Sequence, residues 1–588
     1  MLRITGYSDK YSVCPGEEIK FYVNSEKNED YQVDIVRLIH GDTNPEGPGF
    51  KEKVIRSSCN KKYKGGNQKI HGGSYACFQH DHRMETTSFT LQAFIFPTTP
   101  EKGVQGIITK WSEKNKSGFG MFIDEKGCLS CWIGNKKGKV EVVSSKKTLM
   151  RKVWYLAAVT FDAKTKKVRV YQLPVVTPTN GGLGLSLLHP TNPTTGTVTS
   201  TIKINPGSND APLLMAASTK AVKSGRSLMG GMYKETLEPF HLPEQNKTYN
   251  GKIDRPRFTN RALEKNDIDS LARGIDGCDA ELRNSVVGAW DFHANITDKI
   301  ASCQILDTSP NKIHGFTVNL PVRGMTGYNW TSDDIVYHHA PQEYGAIHFH
   351  DDDIDDARWE ESFSYKIPSK LKSGVYGARL RINGVESPET EDYVPFFVRP
   401  PKGQTTAKVC LIIPTNSYMA YSNDNLATNS VVAELLSGRV PIMQASDLYL
   451  NEHREYGLST YSVHSDGSGV CYSSRLRPIL NMRPKYRHWL SPSLWQLNAD
   501  LHLTDWLEVK GIDFDVHTDE DLDREGVDLL NRYPIVLTGS HPEYSSENML
   551  TAYEAYQQAG GRWLYLGADG FYWVSQYHPD NSNIIEVR

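Results

Sequence analysis

Cysteine is scarce in this chain: nine among 588 residues, scattered and odd in number, which argues against a disulfide framework. A charge of one sign is lacking too. Lys and Arg total 66 against 69 Asp and Glu, a formal net charge of −3, so the whole chain gives no argument for nucleic acid as a partner. No run approaches the ~20 apolar residues of a membrane span. The first residues, MLRITGYSDKYS, have no apolar core of signal-peptide length. Together these absences point to a cytoplasmic protein with no membrane or nucleic-acid partner. The CxxC at Cys128 and Cys131 lies in "GCLSCWIG", a strand pattern with no second ligand pair, and reads as two buried thiols rather than zinc ligands. Charge runs, lysine-rich from Lys102 to Lys167 and acidic from Asp351 to Glu361, read as solvated faces.

The composition that is present, 38% apolar and 10% aromatic, is that of a globular protein, and the length suggests about three or four domains. Residues 8–55 read as a few sandwich strands, too few to close a core. From 78 to 325 the pattern alternates strictly: in "SFTLQAFIFP", Phe89, Leu91, Ala93 and Ile95 face one way. "GFGMFID", "CLSCWIG", "WYLAAVTFD" and "KVRVYQL" repeat this between Lys/Asn/Gly turns. The order, ending in "NGKIDRPRFTNRAL" and "VVGAWDFH", resembles the concanavalin A-like (laminin G-like) jelly roll, in which an "IDxxRxxNRAL" stretch seals the sheets. Residues 330–400 return to short strands. In "SGVYGARLRING", Tyr376, Ala378, Leu380 and Ile382 alternate with Gly377, Arg379 and Arg381. The expected architecture is an immunoglobulin-like sandwich, 1–60 with 325–400, and a jelly roll, 78–325, inserted into it.

After Pro401 the grammar changes to a parallel-sheet α/β domain, 401–588, of glutamine amidotransferase-like or flavodoxin-like type, expected to be catalytic. Its apolar strands are "KVCLII", "IDFDVHT" (followed by "DEDLD" as an exit loop), "YPIVLTG" and "RWLYLG", with amphipathic helices such as "HLTDWLEVKG" and "ENMLTAYEAYQQAGG" between them. Such sheets place chemistry at the carboxyl ends of their strands. The polar groups there are Tyr418, Tyr421 and Asn423, then His517 and Asp519, then His541 and Glu543, and last Asp569. A long irregular segment, "REYGLSTYSVHSDGSGVCYSSRLRPILNMRPKYRHWLSP", supplies Tyr461, and long structureless loops in compact domains are commonly functional. Other readings stand beside these. Ser540 to Glu543 matches a capping box with Ser540 as N-cap, and the tyrosines also fit plain aromatic packing. No Gly-x-Cys-x-Gly or Gly-x-Ser-x-Gly elbow follows these strands, which disfavours an amidotransferase-type nucleophile.

"NSYMAYSN", "YGLSTYSVHSDGSGVCYSSRLRP", "TGSHPEY" and "LYLGADGFYW" resemble the large (alpha) subunit of the N,N-dimethylformamidase family. The resemblance implies an amidohydrolase that converts N,N-dimethylformamide and water to dimethylamine and formate. It implies a mononuclear Fe(III) held by Tyr421, Tyr461 and Glu543, with Tyr418 the competing choice for the first. His541 would shuttle the proton, and Asp569 and Phe571 would back the ligands or line the substrate site. A hard ferric ion suits phenolate and carboxylate oxygens and would polarise the amide carbonyl as a Lewis acid. The implied partner is a small (beta) subunit in an α2β2-type assembly. Two departures from the family are expected: Asp569 in place of an asparagine, and a pattern that stops at Arg588, as if truncated. The competing function is a carbohydrate- or protein-binding module carried by the jelly roll, beside an inactive α/β domain. The one acidic cluster, "HFHDDDIDDARW", does not match a calcium-binding EF-hand loop.

Overall fold

The computed structural model describes residues 2–175, 194–227, 241–296, 302–426, 434–435, 437–490, 493–579 and 581–588. Strands dominate among them, with few helices, and no described helix is long and apolar enough to cross a membrane. The chain divides into two compact units, Gly73–Asp353 and the combination of Met1–Gly72 with Ile354–Arg588.

Gly73–Asp353 is built on two large sheets with one core cluster between them. The alternation of "FTLQAFIFP" produces this directly. Phe89, Leu91, Ala93 and Ile95 enter that cluster, where the Phe89 ring stacks on Phe119 of the facing sheet at 4.1 Å. Phe94 points the other way, into a second cluster with Ile268 and Leu271 of the helix Lys265–Arg273. The strand is therefore buried on both faces. The Gly251–Thr259 strand carries the first part of the "IDxxRxxNRAL" stretch, and "NRAL" follows its end. It lies inside its sheet, antiparallel to both Phe89–Pro97 and Ala346–Phe349, with a register shift between Asp254 and Arg257. Arg257 is buried and donates to Asp291 Oδ1 at 2.7 Å and to the Trp290 carbonyl at 3.1 Å. Cys128 and Cys131 are buried free thiols on the strand Cys128–Gly134.

In the other unit, a three-stranded and a six-stranded sheet enclose a core that takes Phe21 and Val23, Val33 and Ile35, and Tyr376, Ala378, Leu380 and Ile382. The alternation read in "SGVYGARLRING" is thus the inward face of the strand Gly374–Ile382. Beside it stands a four-stranded, all-parallel sheet in the order Phe514–Thr518, Val409–Ile413, Ile535–Thr538, Arg562–Leu564. Both faces are covered, as a parallel sheet requires. Leu411 and Ile413 pack with Leu497, Leu501 and Leu507 of the helix Leu497–Val509. Cys410 and Ile412 pack with Leu522 and with Met549 and Tyr553 of the helix Glu547–Gln558.

Three local expectations change. No capping box forms at Ser540, and the helix begins later: Ser546 is the N-cap and accepts from the Met549 amide at 3.2 Å, because residues 539–545 first make an excursion that ends in the short strand Tyr544–Ser545. "TDEDLD" is a helix, Asp519–Glu525, rather than a loop, because Thr518 and Asp521 cap it reciprocally. The acidic run is also not a solvated face throughout: Asp353 and Asp355 are buried, the first accepting from Ser74 Oγ at 2.6 Å and the second paired with Arg358.

Burial pushes the Asp254 carboxyl up to about 6, against the opposing pull of Arg255 and the Tyr328 amide. A carboxyl whose folded pKa lies above its unfolded value binds its proton more readily when folded. Its contribution to stability therefore falls as pH rises from about 4 to about 6. Asp254→Asn should flatten this part of the stability–pH curve relative to the parent, measured by urea denaturation between pH 4 and 7.

Candidate functional site

The carboxylate of Glu543 is the hub of a cluster at the carboxyl end of the parallel sheet. Its Oε2 accepts from Tyr421 Oη at 2.7 Å and its Oε1 from Tyr461 Oη at 3.0 Å. His541 Nε2 lies 3.0 Å from Oε2, and since a carboxylate only accepts, that nitrogen carries the proton. The Tyr421 and Tyr461 rings stack at 4.2 Å, and Tyr544 Oη donates to Tyr461 Oη at 2.6 Å.

Each donor arrives on a differently built segment. Tyr421 caps the buried helix Thr415–Ala420, which begins one residue past the strand Val409–Ile413. Glu543 follows the strand Ile535–Thr538 after the turn at Gly539 and Ser540. Backbone bonds fasten it there: Ala568 N donates to Ser540 O at 3.1 Å, Phe571 N to Pro542 O at 2.8 Å and Trp573 N to Glu543 O at 3.0 Å. The Glu543 amide donates to Ser417 Oγ at 3.1 Å, which ties the turn to the helix bearing Tyr421. Tyr461 belongs to the long segment, held by the Thr460 amide donating to Ala420 O at 2.9 Å.

That segment is irregular yet tightly bonded. Arg477 is buried and donates to the carbonyls of Ser474, Tyr456 and Leu458 and to Ser422 Oγ. Burial lowers its pKa to about 10. Asn423, at φ 55°, donates to the carbonyls of Tyr456 and Pro478 at 3.0 and 2.9 Å and accepts from the Leu480 amide at 2.8 Å.

Burial works to raise the Glu543 pKa, but hydrogen bonds from His541, Tyr421 and Tyr461 outweigh it and hold the carboxyl below the usual range. The three phenols are pushed the opposite way, by burial first and by the neighbouring carboxylate as well. The arrangement is one anion ringed by neutral donors. It is also a set of hard oxygens, two phenols each within hydrogen-bond reach of one oxygen of the same carboxylate, the chemistry that a hard cation selects.

The other expected residues fall elsewhere. Tyr418 turns away from Glu543 and bonds the buried Asp500. His517 Nε2 lies 2.9 Å from Tyr533 Oη, inside the sheet's packing, and Asp519 accepts from the Asn416 amide at 2.9 Å. Asp569 is largely exposed, 4.0 Å from His541 Nε2. Phe571 packs on Trp563 and Tyr553 rather than on the two tyrosines. Sequence reasoning missed Tyr544, Ser417, Asp500 and Trp495, whose ring lies 4.6 Å from His541 and 5.4 Å from Tyr421. Ser417 and Tyr544 each adjoin a flagged residue, and that adjacency was the available signal.

Over 593 residues the chain is 39% identical to the N,N-dimethylformamidase beta subunit of Paracoccus aminophilus, covering all of this chain and 74% of that one. The chain belongs to the N,N-dimethylformamidase beta-subunit family. The corresponding subunit from Alcaligenes sp is 38% identical over 592 residues, with the same coverage. The family described as "N,N-dimethylformamidase beta subunit-like, C-terminal" matches residues 322–588, a range that holds Tyr421, Tyr461, His541 and Glu543. The concanavalin A-like lectin/glucanases superfamily matches residues 71–174. Both relatives are named beta subunits, whereas the large (alpha) designation was expected. Among solved structures, a native heptameric SAP-like pentraxin from Limulus polyphemus aligns with 41% of this chain and 82% of its own. The identity is 11% and the TM-score 0.20, too low to bear on the argument.

Asn423→Ala should strip the Pro478 carbonyl and the Leu480 amide of their side-chain partner, leave the Tyr456 carbonyl to Arg477, and destabilise the protein by about 2–4 kcal/mol. Chemical denaturation together with proteolysis across 450–490 measures this, and cleavage there should be the first change seen.

Proposed function

We propose that this chain is an iron-dependent amidohydrolase that cleaves the C–N bond of N-substituted formamides, taking N,N-dimethylformamide and water to dimethylamine and formate. The observation that carries the reading is the convergence of Tyr421 Oη and Tyr461 Oη on the two oxygens of Glu543. Membership of the family supports the substrate class. These three residues would hold a mononuclear Fe(III), whose chemistry when bound is that of a Lewis acid toward an amide carbonyl and a water.

The remaining roles belong to the chain's own side chains. His541 keeps the proton on Nε2 for Glu543, which leaves Nδ1 unprotonated in the neutral ring. Nδ1 takes a proton from the attacking water as the new C–O bond forms. It returns that proton to the amide nitrogen as the C–N bond breaks, so that a neutral amine departs rather than an amide anion. Trp495 lies against the His541 ring on one side and the edge of Tyr421 adjoins it at 5.8 Å, which limits ring rotation during the transfer. The burial of His541 and Glu543 excludes bulk water from this exchange. Asp569 offers a solvent-facing carboxylate beside the histidine.

The relatives' designation as beta subunits supports a partner subunit of a second kind, which we take to be a small chain in a two-plus-two assembly. Nine free cysteines fit a reducing compartment, which we take to be the cytoplasm.

The decisive test is the visible spectrum of concentrated protein supplied with ferric iron. A tyrosinate-to-iron charge-transfer band should be present and should vanish, with the bound iron, in Tyr461→Phe. A protein that stays colourless and inactive overturns the reading in favour of a binding module. His541→Ala should keep most of the band while turnover falls on the order of 10²–10⁴-fold; undiminished turnover would remove the histidine from the mechanism.

A further inference from the structure

Asp500 is almost fully buried on the helix Leu497–Val509, away from the Glu543 hub. Its two oxygens do different work. Oδ2 accepts from Tyr418 Oη and Oδ1 from the Ser540 amide. Tyr418 stands three residues before Tyr421, and Ser540 three residues before Glu543. One carboxylate thus grips both segments that deliver donor oxygens, each at the same remove from the donor. The backbone is shaped for this approach. A Cβ on Gly539 would stand 2.8 Å from Asp500 Oδ1 and 2.4 Å from Pro414 Cδ, so only glycine lets the turn close onto the acid.

We propose that Asp500 is a positioning residue that fixes the separation between the Tyr421 and Glu543 oxygens. Burying a carboxylate without a cation is costly, and burial raises this one to about 6. A neutral apolar side chain would fill the same space without that cost. What an apolar side chain cannot do is accept from a phenol and an amide at once and so lock two segments in register. The second tether, from the Glu543 amide to Ser417 Oγ, acts on the same pair of segments at Glu543 itself, whereas the turn at Gly539 and Ser540 is held by backbone bonds to Ile412 and Ala568 and by Asp500. Asp500 restrains the turn at its start.

The inference rests on Tyr421 and Glu543 forming one site, and the test separates the two claims. The variants are Asp500→Asn, which keeps one acceptor oxygen, and Gly539→Ala, which leaves the acid intact but displaces the turn. Thr504→Val is the control, since it removes a hydrogen bond to the Ile39 carbonyl from the same helix. Crystal structures of the iron-free proteins give the primary readout. The Tyr421–Glu543 contact, 2.7 Å in the parent, should open beyond hydrogen-bonding distance in Asp500→Asn and Gly539→Ala but stay closed in Thr504→Val. Ferric iron affinity, measured by competition with a chelator, should fall at least about tenfold in the first two and hold in the third, whatever their melting temperatures. An unchanged contact in both Asp500→Asn and Gly539→Ala overturns the proposal. If the parent itself binds no iron, the donor-set reading fails, and the crystallographic distances still decide the role of Asp500.

Discussion

A buried carboxylate must be surrounded by donors or give up its charge, and at Glu543 three side chains from three separate stretches of the chain meet that demand. Much of the local architecture follows from bringing those stretches together. The strand Ile535–Thr538 has to end in a glycine turn, a short helix has to start immediately after Val409–Ile413, and a long irregular segment has to be pinned beside both. An anion in such surroundings also keeps the phenols protonated, so the cluster stays closed and neutral outside one charge.

The irregular segment is held by polar groups rather than by an apolar core. Arg477 bonds the carbonyls of Ser474, Tyr456 and Leu458, and Asn423 bonds that of Tyr456 again and that of Pro478. Loops of this kind are ordered when their backbone groups find side-chain partners. A rigid loop can hold Tyr461 at a fixed distance, where a mobile one would leave its hydroxyl in water.

How much of this was legible varied with the kind of signal. Period-two alternation in "FTLQAFIFP" and "VYGARLRI" marked which side chains enter the cores, because the pleat enforces that period on any strand. The continuous apolar runs marked the parallel sheet for a related reason, since strands covered on both faces have no polar side to show. The start of the helix after Thr538 was misplaced, because the Ser540 and Ser546 contexts look alike locally and only tertiary bonds to residues 567–573 pull the first into a turn. The acidic run at 351–361 was misjudged for a similar reason: Ser74 and Arg358 satisfy two of its carboxylates, and no count of charges reveals a partner.

The sequence by itself determined the strand pattern, the family, and the short motifs from which Tyr421, Tyr461, His541 and Glu543 could be drawn, because those properties are local or inherited along the chain. Only the tertiary structure decided that Tyr421 rather than Tyr418 meets Glu543, that His517 and Asp519 stay in the packing, and that Trp495, Tyr544 and Asp500 surround the cluster. Two tyrosines three residues apart on one turn differ little in sequence. Which one faces the carboxylate depends on where the next strand ends, and that is a matter of packing between segments more than a hundred residues apart.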